Sequence, residues 1–132
     1  MVIQRWQSVL LFLATIFMVL LCILPLGCSS SCDANPESLT CIRACDVLPL
    51  LIIGIVAAIT LFLSIFLYKN LDLQKRTIVA ACILIVASMV VAAITGLWFA
   101  FVYSTLALGT AIWAFVRVSA DQKLLRSYDR LR

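Results

Sequence analysis

Three stretches of this chain contain no Lys, Arg, Asp or Glu: residues 6–32, 47–68 and 77–116. Nothing else in the sequence limits the fold so tightly. The hydrocarbon core of a bilayer is about 30 Å thick and is crossed by about 20 apolar residues rising 1.5 Å each. The first two runs therefore each make one crossing. The third has 40 residues and would make a helix of about 60 Å, enough for two crossings. Thr95-Gly96-Leu97-Trp98 stands at its middle. Gly96 suits the left-handed conformation that ends a helix, and Trp98 suits a membrane–water boundary. The sequence thus predicts helices near 6–26, 48–68, 77–95 and 98–117, with a loop at 27–47 and a tail at 118–132. The fold class is an all-α membrane protein: a four-transmembrane-helix bundle in one domain, with a Cys-rich outer loop between helices 1 and 2. Hydrophobic residues are 65% of the chain and charged residues 12%, where soluble domains have roughly 45–50% and 25%.

Charge sets the orientation. Arg5, Lys69, Lys75, Arg76, Arg117, Lys123, Arg126, Arg130 and Arg132 fall on one side of such a bundle, and only Arg43 falls on the other. Basic residues mark the cytoplasmic face. Both termini and the 69–76 loop are then expected inside, and the cysteine loop outside with Asp33, Glu37 and Asp46. The expected location is a bacterial inner (cytoplasmic) membrane. The cations also attract anionic lipid headgroups. No basic domain interleaved with aromatics is present to hold nucleic acid.

The outer loop carries Cys28, Cys32, Cys41 and Cys45. "LPLGCSS" resembles a lipoprotein signal, but its apolar run exceeds the usual 7–15 residues of a signal core. Pro25 is read instead as a kink or stop at the end of the first helix. Four thiolates could bind zinc, yet zinc sites favour C-x2-C, and an oxidising compartment turns thiols into disulfides. Disulfides are the favoured reading. Asn35-Pro36-Glu37 has the character of a helix start, so a short helix is expected from Pro36 toward Asp46, with Cys41 and Cys45 on one face. Cys28 and Cys32 could share a face at the end of the first helix. The simplest pairing is nested, Cys28 with Cys45 and Cys32 with Cys41, although four cysteines allow three pairings. Closing the 18-residue loop would contribute about 3 kcal/mol in the chain-entropy model. A catalytic use of these cysteines, as in a membrane thiol-disulfide oxidoreductase, is weakened by the lack of C-x-x-C. Cys22 and Cys82, inside spans, read as small packing residues.

Inside the spans no Lys, Arg, Asp or Glu occurs, and the chain has no histidine. Ion pathways and proton-coupled carriers place ionisable groups in the bilayer. Histidine is the commonest general base and metal ligand. No metal or other cofactor is expected, and no Gly-rich phosphate loop is present. Small residues four apart (Gly54 and Ala58, Ser88, Ala92 and Gly96, Ala107 and Ala111) let helix backbones approach closely. They are read as packing within the chain. Trp6 and Tyr68 at the inner boundary, with Trp98 at the outer, suit interface anchors. The tail, as a helix, gathers Leu124, Tyr128 and Leu131 on one face. It is a basic amphipathic segment suited to lie on the inner leaflet, or a docking site for a partner.

Three segments together resemble a known family. They are "IQRWQSVLLFLA" at 3–14, "LYKNLDLQ" at 67–74 and "KLLRSYDRLR" at 123–132. In order and spacing they are similar to domain-of-unknown-function family 4293, small four-span inner-membrane proteins of Bacteroidota. The resemblance implies location and topology but no activity. It directs attention to the cytoplasmic side, where it matches Gln4, Arg5, Lys69, Asn70, Gln74, Arg126, Ser127, Asp129, Arg130 and Arg132. The candidate site is accordingly a polar cluster of Arg5, Lys69, Asn70, Gln74, Arg76, Arg126, Asp129 and Arg130. It could bind a headgroup or a protein, or form an internal network, for example Asp129 with Arg5 or Arg76. The expected function is a non-enzymatic structural or accessory role, as a partner of a larger membrane complex. The alternatives are the oxidoreductase and a small transporter.

Overall fold

The uncharged runs fold as helices in the computed structural model, which describes residues 2–29, 40–42 and 46–131, and side chains for 6–27, 46–67 and 69–131. The helices are α1 Val2–Ile23, α2 Leu48–Phe66, α3 Leu71–Thr95 and α4 Trp98–Arg130. A short hairpin, β1 Gly27–Ser29 and β2 Thr40–Ile42, lies between α1 and α2, and a 3-10 turn over Leu67–Lys69 joins α2 to α3. Each of the four helices holds a segment long and apolar enough to cross a membrane, as a multi-pass membrane protein requires.

Local chemistry explains the helix ends. α1 stops at Ile23, because Pro25 pushes the residue before it out of helical geometry. Pro49 lies in the first turn of α2, where its missing N–H costs nothing. α3 ends on Gly96, at a φ of 70°. There the Leu97 amide reaches back to the Ala92 carbonyl at 3.0 Å and the Gly96 amide to the Ala93 carbonyl at 3.3 Å. This closing motif needs a left-handed residue, and it reverses the chain within two residues.

The helices run up-down-up-down. α1 packs on α2 and α4, and α3 packs on the same two. One buried stripe on each helix makes the core. On α2 it is Leu50, Gly54, Ala57, Leu61 and Ser64. On α3 it is Gln74, Ile78, Ala81, Ile85, Ser88 and Ala92. On α4 it is Ala100, Ser104, Ala107, Ala111, Ala114 and Val118. The steps alternate four and three residues, and on α1 the buried Gln7, Leu11, Ala14, Met18 and Leu21 repeat the pattern. An average spacing of about 3.5 residues is that of a left-handed supercoiled bundle. Five of the six stripe positions on α4 are Ala or Ser, which lets its neighbours approach closely. Leu26 and Leu97 join Leu21, Leu50, Ala92 and Ala100 in a cluster that closes the hairpin end.

Four sequence expectations need correction. The residues near Cys41 do not form a helix: Thr40–Ile42 is a strand, antiparallel to Gly27–Ser29. Thr40 and Ile42 are β-branched and favour extended backbone, and a paired neighbour is at hand. Cys28 is likewise not at the end of a helix, because α1 ends before Pro25. The 69–76 loop is mostly helix, since α3 begins at Leu71. The tail is not a separate element. α4 runs unbroken for 33 residues, because no Gly or Pro lies between Arg117 and Arg130 to stop it. Cys32, Cys45 and the Asn35-Pro36-Glu37 segment lie outside the described residues.

Candidate functional site

The start of α1, the last turns of α4 and the α2–α3 turn lie at one end of the bundle, opposite the hairpin. At that end the apolar stripes give way to polar residues. The last buried position on α1 is Gln7, on α2 Ser64 and on α3 Gln74. Ser64 donates to its own helix, to the Leu61 carbonyl at 2.6 Å. Gln7 donates its side-chain amide to the Asp121 carboxylate of α4. Gln74 is only 2% exposed, and its Oε1 has no hydrogen-bond partner among the described residues.

The next residue of α4 reaches the opposite neighbour. Gln122 donates its amide to the Asp72 carboxylate in the first turn of α3. Adjacent helix residues point about 100° apart. Asp121 and Gln122 can therefore grip α1 and α3 from one turn of α4. The two bonds run in opposite senses: α4 accepts from α1 and donates to α3. Amides hold these two carboxylates, and no described cation at this end forms an ion pair with a described residue. Lys75 lies 5.8 Å from the centroid of the Phe115 ring, a cation–π contact between α3 and α4.

Above the Gln122–Asp72 bond lies a cavity of 520 Å³ lined by Lys69, Asn70, Leu71, Asp72, Leu73, Gln122, Leu125, Arg126 and Asp129. It gathers four members of the predicted cluster: Lys69, Asn70, Arg126 and Asp129. The others fall elsewhere. Gln74 is buried on the bundle axis, and Arg76 and Arg130 are exposed and do not line the cavity. The side chain of Arg5 lies outside the described residues. Asp129 and Arg76 form no ion pair. Sequence reasoning missed Gln7, Asp121, Asp72 and Gln122. The one available signal was polarity at core spacing, since Gln7 precedes Leu11 by four residues.

The cavity carries two cations, two carboxylates and two amides, a balanced set of donors and acceptors. Among the described residues no three His, Cys, Asp or Glu side chains stand together as a metal would need. At the far end, the hairpin register places Cys28 directly opposite Cys41. The nested pairing instead joins Cys41 to Cys32. Cys22 and Cys82 are half-buried and not in a disulfide.

Residues 3–131 match a family model described as a domain of unknown function, DUF4293. No curated protein and no solved structure matches the chain.

Proposed function

The chain belongs to the DUF4293 family, and from that premise we propose that it is a non-enzymatic accessory protein of the bacterial inner membrane. Its termini lie inside and its hairpin outside, and it works by presenting the end of α4 to a membrane-protein partner. The orientation rests on the nine cations of the terminal end against the single Arg43 beyond the other.

One observation carries the docking role. α4 is 33 residues long, about 50 Å against a hydrocarbon core of about 30 Å. Every residue from Lys123 to Leu131 is exposed. Tyr128 is 73% exposed and Leu131 87%, beside the exposed Leu124 and Leu125. Apolar area left in water costs about 25 cal/mol per Å² relative to covered area. The Gln7–Asp121 and Gln122–Asp72 bonds hold the base of this extension, so it points in one direction. Its apolar side chains, flanked by Lys123, Arg126 and Arg130, fit a groove with an acidic rim. The hydroxyls within the span favour this reading over a transporter. Thr15, Ser64 and Ser88 each donate to a carbonyl of their own helix, and Ser104 pairs with Ser88 at 3.1 Å.

The test is a photo-crosslinking residue in place of Tyr128, with one in place of Val102 on the outer face of the bundle as control. In native membranes a single protein adduct is expected from position 128, absent from position 102 and lost in Leu124→Asp. Adducts to lipid alone from position 128 would refute docking. A reporter fused after Arg132 that works only outside the cytoplasm would refute the orientation.

A further inference from the structure

On the other flank of α4, facing α1, lies a second cavity of 380 Å³. Among the described residues it is lined by Trp6, Leu10, Trp113 and Arg117. Each helix contributes a pair four residues apart, and such pairs share a helix face. The Gln7–Asp121 bond fixes the level of these groups. Trp6 adjoins that bond, and Arg117 lies one turn further toward the middle of the bundle. Trp113 lies one turn deeper again.

The chemistry of this lining is one-sided. The guanidinium offers only donors, and each indole offers one N–H. Among the described residues the lining holds a cation and no carboxylate, and the nearest carboxylate along α4, Asp121, is held by Gln7. The α3–α4 cavity, with Asp72 and Asp129, differs on this point. Arg117 is also the first charged residue after the uncharged run 77–116. It makes no ion pair or hydrogen bond with the described residues. Trp6 and Trp113 are 65% and 59% exposed, so the cavity opens on the outside of the bundle. Apolar side chains continue below it.

We propose that Trp6, Trp113 and Arg117 form a binding site for the phosphodiester of an anionic phospholipid, its acyl chains lying down the α1–α4 groove. The proposal rests on the membrane reading above. The Arg117 guanidinium, with no carboxylate beside it among the described lining residues, is what selects an anionic lipid. A zwitterionic headgroup would bring its own ammonium group close to this cation, and that repulsion offsets what the indole faces offer an ammonium. Arg and Trp at the edge of the hydrocarbon region are suited to phosphate and to the interface.

The three tryptophans supply the assay. Trp98→Phe removes the one at the hairpin end and leaves both reporters in the site. This protein is placed in phosphatidylcholine bilayers containing one-tenth brominated phosphatidylglycerol or one-tenth brominated phosphatidylcholine, and fluorescence quenching is compared. Quenching by the anionic lipid is expected to reflect about fivefold enrichment, the order expected for one basic residue at a charged surface. Arg117→Gln should abolish the preference, and Arg126→Gln, which removes the same charge elsewhere, should keep it. Native mass spectrometry of the unmodified chain should retain phosphatidylglycerol over phosphatidylcholine, and millimolar inorganic phosphate should not displace it. Equal quenching by the two lipids, a preference that survives Arg117→Gln, or displacement by inorganic phosphate would each overturn the site. Absence of quenching by either lipid would overturn the membrane reading, and the site with it.

Discussion

The bond between Gln7 and Asp121 joins the first and last helices, and its energetic weight is lopsided. Gln7 is 3% exposed, whereas Asp121 is partly exposed. Asp121→Leu strands a buried amide with no acceptor, which costs about 1–3 kcal/mol. Gln7→Leu strands a carboxylate that water can reach, and should cost about 1 kcal/mol or less. The double substitution replaces both partners by apolar groups and should return close to the parent, because paired removal leaves nothing unsatisfied. The cycle should therefore show a coupling of about 2 kcal/mol, well outside the ~0.5 kcal/mol expected of independent sites. Reversible unfolding in mixed micelles, driven by increasing sodium dodecyl sulfate and followed by far-ultraviolet circular dichroism, measures all four proteins. Additive losses, or a double variant as weak as Asp121→Leu, would refute the argument that the buried amide sets the cost.

Gln74 invites the opposite experiment: with its Oε1 buried and unpartnered among the described residues, Gln74→Leu is expected to raise stability by about 1 kcal/mol. A loss in the same titration would mean that the oxygen is served by something else. A Cβ at Gly54 would stand 3.0 Å from the Cys22 sulfur and 3.4 Å from Leu21 Cδ2. Gly54→Val should thus cost about 1–3 kcal/mol through overpacking, and Gly54→Ala in a Cys22→Ala background clearly less. At Gly96 no neighbour obstructs a side chain, but φ is positive. Gly96→Ala should cost about 1 kcal/mol from the backbone alone, and Gly96→Asn less. Directly paired antiparallel residues have Cα atoms about 4.5 or 5.5 Å apart, and both distances fall within disulfide range. Peptide mapping without reductant is therefore expected to return Cys28 linked to Cys41, and a Cys28–Cys45 peptide would contradict the register.

The crossings were legible because a bilayer forbids charge over a fixed length, and charge-free runs are plain in any sequence. Which face of each helix turns inward was not. In lipid both faces are apolar, so Ile85 is fully buried while Ile83, two residues away, is 65% exposed. Small residues at core spacing discriminate better, although Ala80, Ala93 and Gly109 are exposed. Of the positions readable as packing sites, Gly54, Ser88, Ala92, Ala107 and Ala111 are buried, whereas Ala58 is half-buried and Gly96 is exposed. The polar cluster was half legible for a related reason. Lys69, Asn70, Arg126 and Asp129 share a cavity, but Arg130 does not, because the phase of the tail depends on α4 continuing unbroken. Asp72 and Gln122 are 50 residues apart, and no local pattern announces their bond. The hairpin misled because Asn35-Pro36-Glu37 is a good helix start, while extended pairing of Thr40–Ile42 with a strand near α1 is a tertiary event.

Position along α4 connects these findings. Its stripe of Ala and Ser ends at Val118, and the next turn changes task from packing to gripping. Asp121 holds α1 and Gln122 holds α3, while Arg117 faces outward one turn before them. Beyond this turn no described residue buries the helix. The bundle needs no residue after Gln122 for its core, yet eight more, Lys123 to Arg130, continue α4 as an exposed extension of a packed helix. An isolated segment of that length would be marginal as a helix in water. Continuity with a clamped span removes the nucleation cost and fixes its direction. If that is why the helix continues, deleting residues 123–132 should leave the unfolding free energy within about 0.5 kcal/mol of the parent. Inserting Gly-Gly after Gln122 should likewise spare stability while abolishing crosslinking from position 128. A large loss of stability on deletion would show instead that the extension serves the bundle, and the docking role would lose its support.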